Sequence, residues 1–498
     1  MSDFTIYYHL LLLNLGQQCG TKISFILYPK APQSMSNKIE TINPATGKVI
    51  ATYDNISSAE VSQRVKKSKA AFEKWGKLDI AERTAYIRNL GRVMRKNKDE
   101  YAKLITEEMG KPIRQSMAEI EKCAWVCDYY ADHAESFLRD ELIPTEFRKS
   151  FISFEPIGVI AGIMPWNFPF WQVMRYAVPA LTAGNVGILK HSSISLGSAL
   201  KIEEAFKDAG FPEDVFQSII GDYRAGEALI QSQVDGVSVT GSINTGRRIA
   251  ELAAKDLKKV VLELGGSDPF VVLEDADLNQ TAHMATQARL LNTGQSCIAA
   301  KRFIVVKEIA EKFSKLFVEN TNAEVIGDPM NSKTTVGPLV RKNQRDALSN
   351  QVEDSKTKGA RILTGGKAIN GDGYFYEPTI ISNVNHEMDV IKEEVFGPAA
   401  PIIVVNNEEE AIIEANNTEF GLGASIWTNN IERGSRLARR IQSGIVSIND
   451  MVKSDPRLPF GGTKYSGIGR ELSEFGIKEF VNIKSIVVKD ITSKLLVE

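Results

Sequence analysis

The sequence predicts an α/β protein built from two doubly wound open sheets. Short apolar runs alternate with helix-period segments from residue 156 to residue 264, and the same alternation restarts at Pro269 and continues to residue 448. A chain of 498 residues is also too long for one hydrophobic core, so two or three domains are expected. Sheets of this class bind ligands beyond the carboxyl ends of their strands.

Composition narrows the partners. Hydrophobic content of 43% and charged content of 24% lie in the ordinary globular range. With 60 basic and 62 acidic residues the net charge is -2, so the expected partner is a small molecule, with neither nucleic acid nor membrane indicated. No stretch approaches the ~20 apolar residues of a membrane span. Four cysteines form neither a disulfide framework nor a C-x-x-C pair, and Cys123 and Cys127 fall on one helical face, so a reducing, cytoplasmic setting without a structural metal is expected. The run Leu10-Leu11-Leu12-Leu13 is short and lacks a basic flank or cleavage site, while Met35 looks like a natural start. Residues 1–34 are therefore expected to be a poorly ordered arm, and no function is assigned to them.

Taken in order, residues 57–75 place Val61, Val65, Ala71 and Phe72 at helical spacing behind a Ser-Ser cap. A second helical region spans 80–109 and stops at Gly110-Lys111-Pro112, and a third covers 125–137. Strands are expected at 156–163, 186–189, 216–220, 237–240 and 260–264, with helices between them. The second set runs through strands at 270–273, 303–306, 401–405, 424–427 and 444–448, with helices at 276–291 and 408–416. Residues 150–155 and 482–490 fit neither sheet and read as exposed β ribbons, whose open edges suit pairing between subunits or a hairpin on their own domain.

Four places carry candidate chemistry. Cys297 closes Asn292-Thr293-Gly294-Gln295-Ser296-Cys297 at a helix-to-strand junction, where a thiol can be exposed at a cleft floor and act as a nucleophile instead of packing as a small hydrophobe. Glu263 lies in an apolar strand ending at Gly265-Gly266; burial there raises a carboxyl pKa and suits a general base, whereas a solvent-facing strand position would be inert. Asn167, held in Pro165-Trp166-Asn167-Phe168-Pro169, offers an amide to an oxyanion or closes an Asx turn. Thr240-Gly241-Ser242 with Gly246 follows a strand and opens a helix, so backbone N–H groups can face a phosphate, although neither G-x-G-x-x-G nor a Walker lysine is present.

These motifs, with Leu189-Lys190, Glu393-Glu394-Val395-Phe396-Gly397-Pro398 and Pro459-Phe460-Gly461-Gly462, make residues 42–489 closely resemble the aldehyde dehydrogenase superfamily. The resemblance implies a cofactor-binding domain (35–140 and 157–263), a catalytic domain (264–471) and an oligomerisation ribbon (141–156 and 472–498) in a homodimer or homotetramer. By the same match, Cys297 attacks an aldehyde carbon, Asn167 and the Cys297 backbone N–H hold the oxyanion, and Glu263 activates water to hydrolyse the thioester. Trp166, Lys190, His191, Ser193, Gly241, Ser242, Gly246, Leu264, Glu394 and Phe396 are implied around the cofactor.

Many relatives that prefer NAD carry a glutamate at the position of Ser193 and a proline at that of His191. Lysine, imidazole and hydroxyl together point to NADP as the preferred cofactor, with NAD possible. Within the superfamily the chain is most similar to bacterial succinate-semialdehyde dehydrogenases, in which Arg175 matches a carboxylate-binding arginine. Leu291 stands where a second arginine is expected, so the loop of Lys453 and Ser454 is the candidate replacement. Alternatives are a lactaldehyde, glyceraldehyde or general short-chain aldehyde dehydrogenase, and a non-catalytic protein on this fold. Retention of Glu263 disfavours a CoA-acylating enzyme.

Overall fold

Parallel strands buried on both faces need continuous apolar runs, and the first sheet is built from such runs. A computed structural model of the protein describes residues 37–489; the expected arm at 1–34 lies outside the described residues. The first sheet orders its strands as Gly467–Ile468, Lys259–Glu263, Gly236–Thr240, Val159–Met164, Val186–His191 and Phe216–Ile219, all parallel except the two-residue edge. Chain order reverses beside Val159–Met164, which pairs with Val186–His191 on one side and Gly236–Thr240 on the other. The loops after those two central strands begin at Pro165 and Gly241, so both cofactor-side motifs leave the sheet at its switch point.

The second sheet runs Arg361–Thr364, Thr379–Ser382, Ala399–Val405, Ala300–Val306, Asp268–Val272, Gly423–Trp427 and Ile445–Ile448. Only its first pair is antiparallel. Separate apolar clusters cover it, one around Phe270, Phe303 and Trp427 and another around Val271, Ile304 and Ile426. The two ribbon segments that fit neither sheet pair with each other: Val481–Val488 lies antiparallel to Lys149–Pro156, with Val481 opposite Pro156 and Val488 opposite Lys149. Gly467–Ile468 falls within the segment expected to be catalytic, yet it pairs with Leu262 and Glu263 of the first sheet.

Helices differ from expectation in two places. The region at 80–109 is two helices, Ile80–Lys96 and Lys98–Met109, parted at Asn97, whose φ of -103° and ψ of 17° leave the helical well. The third helix starts earlier than expected, at Ile113, and runs to Leu138: Gly110, with a φ of 77°, ends the preceding helix, and Pro112 stands at the N-cap of the next. The hairpin of Lys38–Ile42 with Val49–Asp54 was not anticipated. Among the described residues no helix is long and apolar enough to cross a membrane.

One buried side chain ties the ribbon to the first sheet. Asn185 Oδ1 accepts from the N–H groups of Ile157 (2.8 Å) and Gly158 (3.0 Å), and Nδ2 donates to the carbonyls of Ala180 (3.1 Å) and Phe480 (2.9 Å). Replacing it by alanine leaves four backbone groups without this partner. Asn185→Ala should therefore lower stability by about 3 kcal/mol or more, read as a reduced urea midpoint at unchanged m-value.

Candidate active site

Three cavities run end to end across the switch point. A chamber of about 550 Å³ is walled by Lys190, Ser192, Tyr223, Gly226, Glu227 and the start of the helix Ile243–Ala254. It shares Pro165, Trp166, Thr240, Gly241 and Ser242 with a middle cavity of about 230 Å³ that reaches Cys297. A third, of about 290 Å³, continues from Cys297 and Gln172 toward Lys122, Arg175, Ser454 and Phe460. Cys297 therefore stands where two cavities meet.

The thiol loop is strained and heavily braced. Asn292 and Thr293 take left-handed φ values of 54° and 57° ahead of Gly294 at 74°, an arrangement that a β-branched threonine adopts only under constraint. Asn292 Nδ2 donates to the carbonyls of Asn167 (2.9 Å) and Gln295 (3.0 Å), and Gly337 N–H donates to Thr293 Oγ1 (3.0 Å). Buried Arg289 donates to the carbonyls of Ala300, Gly294 and Val395. Lys301 Nζ donates to the Cys297 carbonyl (2.7 Å) and to Glu394 Oε1 (3.0 Å), which also accepts from Gly266 N–H.

Asn167 is 4% exposed and lines the middle cavity. Its Nδ2 donates to the Gln295 carbonyl (3.1 Å), and its Oδ1 accepts from Gln172 Nε2 (2.9 Å). These bonds set which end of the amide faces which way and leave one N–H of the pair for an oxyanion beside Cys297. Gln172 was not expected as a site residue; it lies 5 residues after Asn167, and the start of the helix Trp171–Thr182 turns it back to the amide.

Burial dominates the electrostatics. Cys297 keeps some exposure, yet its protein surroundings push the thiol up to about 11, with Arg175 and Lys301 pulling it back. Glu263 is 2% exposed and neither of its oxygens has a hydrogen-bond partner. Burial, and then the neighbouring Glu471 carboxylate, hold its carboxyl well above the ordinary range, opposed by Arg175. Gly461 makes that position possible, since a Cβ there would lie 2.6 Å from Glu263 Oε1.

The cofactor-side residues divide. Trp166 and Phe396 meet edge to face at 5.8 Å in the middle cavity, with Leu264, Gly241, Ser242 and Glu394 on its walls. Ser242 caps the helix Ile243–Ala254 through the Thr245 N–H, and Gly246 packs against Leu264. Burial pushes Lys190 down to about 8 beside the large chamber.

His191 departs from expectation. It is fully buried, its Nε2 lies 2.9 Å from the Pro169 carbonyl, and its Nδ1 accepts from Ser192 N–H, so burial pushes it down to about 4 and it carries no charge toward a phosphate. Ser193 is half-buried and does not line the chamber, whereas Ser192 does.

The substrate-side residues divide as well. Arg175 lines the third cavity, but its guanidinium is ion-paired with buried Glu471, donates to Thr240 Oγ1 (3.2 Å) and stacks on Phe460. Lys453 also borders the cavity, with its ammonium on Asp450 (2.8 Å). Ser454 Oγ accepts from Lys122 Nζ (2.7 Å) and Trp171 Nε1 (3.1 Å). Neither Lys122 nor Trp171 stood out in the sequence as a site residue.

Two outcomes follow for this geometry. Because the thiol is held high, alkylation of the cofactor-free protein by iodoacetamide should keep accelerating from pH ~7 to ~10, and a plateau below pH ~8 would mean that the thiolate already exists. Gln172→Leu should lower kcat about 10- to 100-fold with little change in KM, and its effect should not add to that of Asn167→Ala, because both act through one amide.

Comparison with known proteins agrees with the motifs. The family model described as "Aldehyde dehydrogenase family" matches residues 31–486. A probable succinate-semialdehyde dehydrogenase [NADP(+)] of Synechocystis is 47% identical over 449 residues, covering 90% of this chain and 99% of that protein. The Escherichia coli K12 succinate semialdehyde dehydrogenase [NAD(P)+] Sad is 43% identical over 90% of this chain and 97% of its own length. Among solved structures, the succinic semialdehyde dehydrogenase of Streptococcus pyogenes in complex with NADP+ superposes with a TM-score of 0.89 at 37% identity, covering 91% of this chain and all of that one. With a matching model across most of its length and relatives this similar end to end, the chain belongs to the aldehyde dehydrogenase family.

Proposed function

We propose that this protein oxidises succinate semialdehyde to succinate with NADP as its preferred cofactor and NAD as a possible substitute. The observation that carries this reading is the row of cavities with shared walls, in which a thiol stands between a cleft beside a helix N-terminus and a largely apolar cavity bordered by Lys122, Arg175 and Lys453.

The cleft suits a dinucleotide. Lys190 and Ser192 border the chamber expected to hold the adenosine end, Ser242 and the start of Ile243–Ala254 stand where a pyrophosphate meets a helix N-terminus, and Glu394 and Phe396 border the nicotinamide end. Glu227, an acidic group on the chamber wall, is ion-paired with Arg248 at 2.7 Å, which reduces its repulsion of a phosphate. When bound, the nicotinamide accepts the two electrons and the hydrogen that leave the aldehyde carbon.

The chain's own groups do the rest. Cys297 Sγ, after losing its proton, adds to the aldehyde carbon, and the oxygen that becomes negative lies within the reach of the Asn167 amide held by Gln172. Oxidation leaves a thioester on Cys297. Glu263, raised by burial, becomes a strong base once ionised and can take a proton from the water that hydrolyses this ester. The product is a carboxylic acid, and the thiol is regenerated.

A general short-chain aldehyde dehydrogenase is the second reading, favoured by one observation: the charge of Arg175 is already matched by Glu471. Assembly as a homodimer or homotetramer is part of the proposal, supported by apolar side chains left outward on the ribbon strands, among them Leu142, Ile483 and Val487. The buried free thiols Cys123 and Cys127 fit a reducing, cytoplasmic setting.

Steady-state rates separate these readings. For the wild type, kcat/KM for succinate semialdehyde should exceed that for butanal, an uncharged aldehyde of equal length, by about 10-fold or more; equal values would favour the general enzyme. The NADP/NAD ratio of kcat/KM should exceed one and fall about 10-fold or more in Ser192→Glu, where a carboxylate on the chamber wall would repel the 2′-phosphate.

A further inference from the structure

Two buried cations join the thiol loop to the segment that carries Glu394 and Phe396. Arg289 donates through Nη2 to the carbonyls of Gly294 (2.7 Å) and Val395 (3.2 Å). Lys301, the second residue of the strand Ala300–Val306 and 1% exposed, spans the same gap four residues beyond the thiol. Its ammonium donates to the Cys297 carbonyl at 2.7 Å and to Glu394 Oε1 at 3.0 Å, and lies 5.9 Å from the centre of the Phe396 ring.

This geometry divides the work of the Glu394 carboxylate. Oε1 accepts from Lys301 and from Gly266 N–H at 3.1 Å, while the residue borders the middle cavity and keeps Oε2 for a ligand. Asp268, the other carboxyl that feels the charge of Lys301, accepts from Gly423 N–H and is pushed up to about 7 by burial, so Glu394 is the firmer counter-ion. At the other end, a bond to the Cys297 carbonyl fixes ψ at Cys297 and with it the direction of the Cα–Cβ bond relative to Glu394. Lys301 and Glu394 are 93 residues apart in sequence, so a constant separation of the two segments needs a direct bond.

We propose that Lys301 is a positioning residue for hydride transfer: one ammonium locks the carboxylate at the nicotinamide end of the cleft to the backbone of the nucleophile. The cofactor and the covalently held aldehyde then keep one separation. Reacting atoms must stand about 3–3.5 Å apart, and an error of about 1 Å costs on the order of 100-fold in rate. The inference rests on the proposed cofactor cleft and is independent of which aldehyde is oxidised.

The test is a double-mutant cycle of Lys301→Met, Glu394→Gln and the double variant, read in two ways. Calorimetric titration gives Kd for NADP without turnover, and rapid mixing gives the first-turnover rate of NADPH formation with succinate semialdehyde and with butanal. Lys301→Met should slow the first turnover about 10- to 100-fold with either aldehyde, while KM for the aldehyde stays within about 3-fold. It should also weaken NADP binding about 5-fold or more. In both readings the double variant should be no worse than the poorer single variant, because Lys301 acts through Glu394. Lys301→Gln, which keeps a donor without the charge, should recover part of both losses, and it takes the place of Lys301→Met in the cycle should that variant fail to fold. Unchanged binding and first-turnover rate in the Lys301 variant, beside losses in Glu394→Gln, overturn the positioning role and leave the cofactor cleft standing. Losses that multiply in the double variant also overturn it, since Lys301 then acts on the thiol loop alone. No loss in Glu394→Gln removes that residue from the cofactor cleft, and the inference falls with it.

Discussion

The structure depends on holding two loops from different sheets in one fixed relation. The amide of Asn167 leaves the first sheet, the thiol of Cys297 precedes a strand of the second, and no shared secondary structure joins them. The join is a small polar lattice: Asn292 bridges the Asn167 and Gln295 carbonyls, and Asn167 itself donates to Gln295. Each bond is worth about 1 kcal/mol on its own, but leaving any of these buried groups unpaired costs more, so the lattice forms as a unit. That cooperativity maintains the left-handed backbone of Asn292 and Thr293, strain that the loop would otherwise shed.

A second constraint is burial of charge. The same enclosure that excludes water from the thiol also raises Cys297 and Glu263, so both rest in neutral forms and neither is a ready nucleophile or base in isolation. The cations around them are arranged to limit the cost. Arg175 balances Glu471, while Lys301 is shared between Glu394 and the Cys297 carbonyl. Buried ion pairs of this kind contribute little net stability, so their value in the proposed mechanism lies in setting the potential at the proposed nucleophile and base.

Much of this was legible from residue pattern. Apolar strands and cap residues predicted both sheets, and Cys297, Asn167, Trp166 and Ser242 line the cavities to which their motifs pointed. What escaped depends on how the helices pack. Gln172, Lys122 and Trp171 sit on helices whose inward faces carry polar groups for reasons visible only once the helices pack. His191 illustrates the converse: beside Lys190 in sequence it looked like a phosphate ligand, but strand alternation turns neighbouring side chains to opposite faces, and the imidazole is spent on Pro169 and Ser192. The break at Asn97 was hidden because apolar periodicity continues through it.

The central claim is that aldehyde carbon becomes covalently attached to Cys297 and is released by water through Glu263. It is tested most directly by mass spectrometry of the Glu263→Gln protein after incubation with succinate semialdehyde and NADP. The account predicts a succinyl adduct on the peptide containing Cys297, accompanied by one equivalent of NADPH per active site. Undiminished turnover without an adduct, or an adduct on another residue, would contradict it.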